Sequence, residues 1–201
     1  MRIILASNSP RRREILSQLG VQYDVIPSDY EEKSENNNPY ELVMLFAENK
    51  AKSVAESIKE KALVIGADTI VYKDEVMGKP KSKADAAGML KKLSGSTHSV
   101  ITGISVIQTP EMKIITDYEE TIVRFKDISE SEIDAYVRSG EPVDKAGAYA
   151  IQGLGSLLVQ GIEGCYFNVV GLPVYKLSVI LERLGYKILN RDSNAIFCCP
   201  D

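Results

Sequence analysis

The 201-residue chain carries 24 basic and 28 acidic side chains for a net charge of -4, and 44% of it is hydrophobic. That length and balance fit one large domain, or two closely joined lobes, with a sizeable buried core. They exclude a global attraction to nucleic acid or to an anionic membrane, so any polyanionic ligand has to be held by a local basic cluster. No segment approaches the roughly 18 apolar residues that a membrane-spanning helix needs. The opening Met1-Arg2-Ile3-Ile4-Leu5-Ala6 breaks into Ser7-Asn8-Ser9-Pro10 and three arginines, unlike a secretory leader, so a cytoplasmic location is expected. Cys165, Cys198 and Cys199 are odd in number and lack metal-ligand spacing, which points to a reducing compartment. The single His98 excludes His-rich zinc chemistry and disfavours a Ser-His-Asp triad.

In chain order, residues 2–6 read as a short buried strand. A helix follows over 10–19, with Ser9 as N-cap, Pro10 in the first turn and Gly20 as its stop. A second strand is expected at 23–26, then a polar, acidic and mobile loop over 27–38, then a long helix over 39–59. The run 63–67 is continuously apolar and ends in Asp68, the pattern of a strand buried on both faces. Val71 and Val76 flank a polar turn, followed by Gly78-Lys79-Pro80 and a helix over 83–93. Strands are predicted over 98–108 and 113–125, and a helix over 130–138 with Ser129 as its cap. A glycine-rich stretch runs from 147 to 164, and a last amphipathic helix covers 170–184. The sum is α/β with a mixed sheet, with residues 1–189 as one domain and 190–201 as a C-terminal tail. Cys198 and Cys199 have no legible role.

Six features carry chemistry. With Arg12 at zero on a wheel of about 100° per residue, Leu16 falls at about 40°, Leu19 at about 340° and Ile15 at about 300°. Arg12 thus sits inside the apolar stripe of the first helix, where burial is costly unless it meets an anion. The same helical turn offers unpaired N–H groups and the hydroxyls of Ser7 and Ser9. Solvated arginines are the bland alternative for Arg11, Arg12 and Arg13. Lys50 interrupts the Val43, Phe46 and Val54 stripe of the second helix in the same way. Asp68, at the carboxyl end of a predicted strand, stands where ligands bind in open α/β sheets. Lys79, in a tight turn, could add a cation, and Glu31 or Glu32 a metal-binding carboxylate. Gln152 offers an amide matched to a uracil or thymine edge. The glycines around it lack the spacing of a Rossmann fingerprint or a P-loop.

The run Leu5-Ala6-Ser7-Asn8-Ser9-Pro10-Arg11-Arg12 with Leu16, then Gly66-Ala67-Asp68-Thr69-Ile70-Val71, resembles the Maf (septum formation inhibitor) family. So do Gly78-Lys79-Pro80, Asp144-Lys145-Ala146-Gly147-Ala148-Tyr149 with Gln152-Gly153, and Val170-Gly171-Leu172-Pro173. The resemblance spans about residues 3–184 in family order; Asn8 departs where a small residue is common. It implies a cytoplasmic nucleotide pyrophosphatase related in fold to the inosine-triphosphate pyrophosphatases. That fold is an elongated mixed sheet flanked by helices, with a deep cleft between two lobes, and it is often a homodimer. It implies that Asp68 is the catalytic acid-base residue and that Arg12, Thr69 and Gln152 bear on substrate choice. Asp68-Thr69-Ile70-Val71 together with Gln152 looks like the branch acting on dTTP and UTP.

On this reading Ser7, Arg11, Arg12, Lys50, Thr69, Lys79 and Gln152 bind substrate. An ordinary aspartate, with a pKa of about 3.9, is a poor base toward water at about 15.7. Asp68 is therefore expected to place a water on Mg²⁺ or Mn²⁺, with Glu32 as a second metal ligand. Hard oxygen donors and the lack of His or Cys clusters favour those ions over zinc. The rival reading is a non-catalytic nucleotide-binding regulator of septum formation. A nucleic-acid module is disfavoured by the net charge, by the 7% aromatic content and by the lack of a basic stripe. No nucleic-acid or membrane partner is expected.

Overall fold

The computed structural model describes residues 1–34 and 36–189. The expected tail at 190–201, with Cys198 and Cys199, lies outside the described residues. Strand β1 (Arg2–Leu5) leads into helix α1 (Pro10–Gln18), and strand β2 (Asp24–Val25) returns to pair parallel with β1. An irregular loop then reaches α2 (Pro39–Ala55), where the Asn38 side chain accepts from the N–H groups of Tyr40 and Glu41. Strand β3 (Ala62–Lys73) turns at Asp74 into β4 (Glu75–Met77), and α3 (Lys83–Leu93) follows. The long strands β5 (Thr97–Thr109) and β6 (Lys113–Phe125) precede α4 (Glu130–Arg138), which opens on a reciprocal Ser129–Glu132 cap. Three short 3₁₀ turns lead to strand β7 (Val159–Glu163), helix α5 (Tyr166–Val170) and helix α6 (Val174–Arg183).

The strands form one mixed sheet in the order β2-β1-β3-β5-β6-β7, with β4 hairpinned onto β3. β1 pairs parallel with β3, while β3–β5 and β5–β6 are antiparallel. Alternation along β3 sorts the core. Leu63, Ile65 and Ala67 face α1 and α6 in one cluster, and Val71, farther along the same face, joins α3 and α4 in a second. Val64 and Ile70 face α2 on the other side. The two clusters on the first face are the cores of the two lobes, and β3 and β5 run through both.

Three sequence expectations change. Asp68 does not end its strand: β3 continues through it for five more residues, to Lys73, held by antiparallel pairing with β5. The helix expected over 170–184 is interrupted, because Gly171 adopts φ 117° and Pro173 caps α6. The glycine-rich stretch also contains β7, an edge strand on β6 that its glycines concealed.

Candidate active site

β1 leaves the sheet just where β3 continues. Ala6 N–H donates to the Ile65 carbonyl at 2.8 Å, after which the chain departs through Ser7 into α1. β4 rejoins β3 only at Val71. Between these points, residues 66–70 have β5 as their one strand partner among the described residues. A cleft of about 540 Å³ opens along this bare edge. Consecutive strand side chains point to opposite faces, so Asp68 reaches the cleft from the α2 side and Thr69 from the α1 side.

On the α2 side, two glycines set the distance. A Cβ on Gly66 would lie 2.2 Å from the Ala47 carbonyl oxygen, and one on Gly103 would lie 2.1 Å from that of Val43. Gly103 is the cross-strand partner of Asp68. Without side chains there, the α2 backbone lies directly on the sheet, and Lys50 meets Asp68. Lys50 Nζ stands 2.6 Å from Asp68 Oδ1 and 2.5 Å from Glu32 Oε1, with its side chain only 13% exposed. The acidic loop that carries Glu32 is irregular, as expected. It is also tied to α2 by a Ser28–Ser53 hydroxyl pair at 2.8 Å and a tilted Tyr30–Phe46 ring contact. Burial works against charge on Glu32, but Lys50, Lys79 and Arg12 together outweigh it and hold its carboxyl below the ordinary range.

On the α1 side, Ser9 occupies the N-cap position without a side-chain cap bond. Ser7 Oγ instead accepts from the Ser9 N–H at 3.2 Å. Arg12 lies with Ile15 and Leu16 on the buried face of α1, as the helical wheel requires. Its Nε donates to the Gly171 carbonyl at 2.7 Å, one terminal nitrogen to Ser7 Oγ at 3.2 Å, and the other to Thr69 Oγ1 at 3.1 Å. Burial pushes its guanidinium down from the ordinary value, against the pull of Asp68 and Glu32. Arg11, beside it, is also lowered by burial and is supported by Asp144.

The opposite wall comes from the second lobe, with Lys79 exposed and Gln152 half-exposed. The turn bearing Gln152 is anchored by Glu141. Its carboxylate accepts from the Tyr136 hydroxyl and from the backbone N–H groups of Leu154 and Gly155, each at 2.9 Å.

Of the residues singled out from the sequence as substrate or metal contacts, Ser7, Arg11, Arg12, Lys50, Thr69, Lys79 and Gln152, with Asp68 and Glu32, line this one cleft. Glu31, the other candidate carboxylate, is exposed outside it and pairs with Lys33. Sequence reading missed the Gly171 carbonyl, which it placed inside a helix, and Thr102, whose hydroxyl lies 2.9 Å from that of Thr69. Thr102 gave no sharper signal in the sequence than Ser99 or Ser105 in the same strand. It also missed Glu141, whose role depends on a backbone turn.

The donor set fits a hard divalent ion. Asp68 and Glu32 converge from two elements on a single point, taken by the Lys50 ammonium. No group of three His, Cys, Asp or Glu side chains suited to a metal occurs among the described residues. Two carboxylates, completed by phosphate oxygens and water, are what Mg²⁺ accepts from a protein, and Mn²⁺ takes the same oxygen donors.

No helix among the described residues is long and apolar enough to cross a membrane. Comparison with known proteins gives concordant relatives. The chain is 54% identical over 184 residues to the dTTP/UTP pyrophosphatase of Thermoanaerobacter pseudethanolicus, covering 91% of this chain and 96% of that one. It is 48% identical to the dTTP/UTP pyrophosphatase of Acetivibrio thermocellus, covering 95% and 99%. Among solved structures, the Staphylococcus aureus Ham1 protein aligns over 63% of this chain and 73% of its own, at 17% identity and a TM-score of 0.43. Residues 2–184 match the family described as Maf-like protein, and on that match and those identities the chain belongs to the Maf-like family.

Proposed function

We propose that the protein hydrolyses nucleoside triphosphates, dTTP and UTP foremost, to the monophosphate and pyrophosphate. The observation that carries this reading is the facing of two kinds of charge across one cleft. A carboxylate pair, Asp68 and Glu32, is bridged by Lys50 and stands opposite Arg11, Arg12 and Lys79. A triphosphate needs such compensation, because the chain as a whole is acidic.

The arginines and Lys79 hold the phosphate chain and stabilise charge on the departing pyrophosphate. Ser7 and Thr69 flank Arg12 at the phosphate end, and Gln152 meets the base edge with its amide. Asp68 orients the attacking water and receives its proton as the new bond to the α-phosphorus forms. The bond from that phosphorus to the bridging oxygen breaks, and the electron pair leaves with pyrophosphate. Lys50 steadies both carboxylates before the substrate arrives. Asp68 and Glu32 would hold Mg²⁺ or Mn²⁺, which when bound acidifies water and offsets phosphate charge.

The test is pyrophosphate release from a panel of triphosphates with Mg²⁺, with Mn²⁺ and after chelation. Release from dTTP and UTP ahead of purine nucleotides, abolished by chelation, is expected. Tight nucleotide binding without any release would point to a regulator instead.

A further inference from the structure

Thr69 and Thr102 are direct cross-strand partners on β3 and β5, at the seam between the two lobe cores. Thr102 is fully buried, and Thr69 is half-buried at the cleft wall. The direction of every hydrogen bond around them is forced. Arg12 can only donate, so at 3.1 Å Thr69 Oγ1 is its acceptor. The Asn168 carbonyl can only accept, so the Thr102 hydroxyl donates to it at 3.1 Å. Thr102 has one proton, and it is used there. In the 2.9 Å contact between the two hydroxyls, Thr69 is therefore the donor. Asn168 is itself fixed, its amide donating to the Val100 carbonyl at 2.9 Å and to Thr121 Oγ1 at 3.0 Å.

Two consequences follow. Thr69 has no proton left for a ligand, although it lines the cleft. Arg12 uses three of its five N–H groups on protein acceptors, which leaves one N–H on each terminal nitrogen. Such a pair suits bidentate contact with a phosphate. We propose that Thr69, Thr102 and Asn168 form a one-way relay that sets the direction of the Arg12 fork. Thr69 and Thr102 are then positioning residues that act on substrate through Arg12, and Thr69 does not read the base. This deepens the pyrophosphatase reading and rests on it for its kinetic readout only.

Thr69→Val and Thr102→Val keep the shape and remove the hydroxyl. Each should lower kcat/KM for dTTP and UTP equally, by about tenfold, the scale of one hydrogen bond to a charged group. Thr69→Ser and Thr102→Ser should recover most of that loss. In an Arg12→Lys background the valine substitutions should add little, because no fork remains to be oriented. A generic packing defect would multiply with Arg12→Lys. A second readout needs no substrate: the Arg12 Nε–H resonance should be protected from solvent exchange in the wild type and lose protection in either valine variant. Wild-type kinetics in the valine variants, multiplying losses or a changed ratio of dTTP to UTP in Thr69→Val each overturn the relay. Should Thr102→Val fail to fold, Thr69→Val at the half-exposed cleft wall decides alone. If the wild type releases no pyrophosphate from any triphosphate, the function falls, and the relay still stands or falls on the Nε–H protection.

Discussion

Arg12 is 9% exposed and the Lys50 side chain 13%, so two cations are held inside the protein. Lys50 pairs with Asp68 and Glu32, whereas Arg12 donates to the neutral oxygens of Gly171, Ser7 and Thr69. Buried charge is tolerated only when paired, and each carboxylate here has Lys50 as its partner. Asp68→Asn keeps the size and a hydrogen-bond acceptor for Lys50 but removes the charge that takes a proton from water. Its kcat should fall by at least about 100-fold, the scale of general acid–base catalysis, while nucleotide affinity changes by only a few-fold. Pyrophosphate release paired with equilibrium titration measures both, and near-normal turnover would remove Asp68 from the mechanism. Gln152→Ala should raise KM for dTTP and UTP with little change in the dependence on added Mg²⁺. An unchanged order of preference among bases would show that another group reads the base.

At the scale of elements, the site depends on how closely α2 lies on the sheet. Gly66→Ala would place a methyl group against the α2 backbone, which cannot swing aside as a side chain can. The expected cost is about 3 kcal/mol, the upper end for overpacking. Activity should fall as well, because Lys50 is carried away from Asp68. An unchanged urea midpoint would refute the close approach. The Gln152 turn makes a second case. Glu141→Ala leaves the N–H groups of Leu154 and Gly155 without their acceptor, and should cost about 1–3 kcal/mol. The loosened turn should raise KM more than it lowers kcat. Parallel changes in both constants would instead mean that Glu141 serves the fold alone.

For the whole molecule, the pH dependence of stability has an identifiable source in the second lobe. His98 packs edge-on against Phe125 and Tyr149, and its Nε2 lies 2.7 Å from the Tyr149 hydroxyl. Burial, helped by Lys73, pushes its pKa down to about 4 from 6.5. The folded state therefore prefers neutral His98. Its contribution is complete above about pH 6.5 and is lost as the pH falls toward 4, by about 3 kcal/mol in total. Urea midpoints measured from pH 7 to 4 should decline, and His98→Phe should flatten that decline. An NMR titration placing His98 near 6.5 would contradict this.

The sequence by itself determined what depends on near neighbours. Ser129 located the start of α4 as a capping residue, and the 3.6-residue period exposed Arg12 and Lys50 as cations on apolar stripes. Family-like motifs then nominated Asp68, Thr69 and Gln152 together. What the period could not give was partners, because those are chosen by register across long separations. Arg12 meets Gly171, 159 residues away, only because the last helix breaks there, a break that Gly171 and Pro173 signal but that the apolar pattern running through them outweighed. Asp68 looked like a strand end because the apolar run stops, yet pairing with β5 carries the strand onward. It is β1 that ends, and that departure bares the edge of β3. The tertiary structure alone decided that Lys50 would stand between Asp68 and Glu32. That contact requires two glycines on separate strands to let one helix backbone touch the sheet, and no local pattern encodes such a distance.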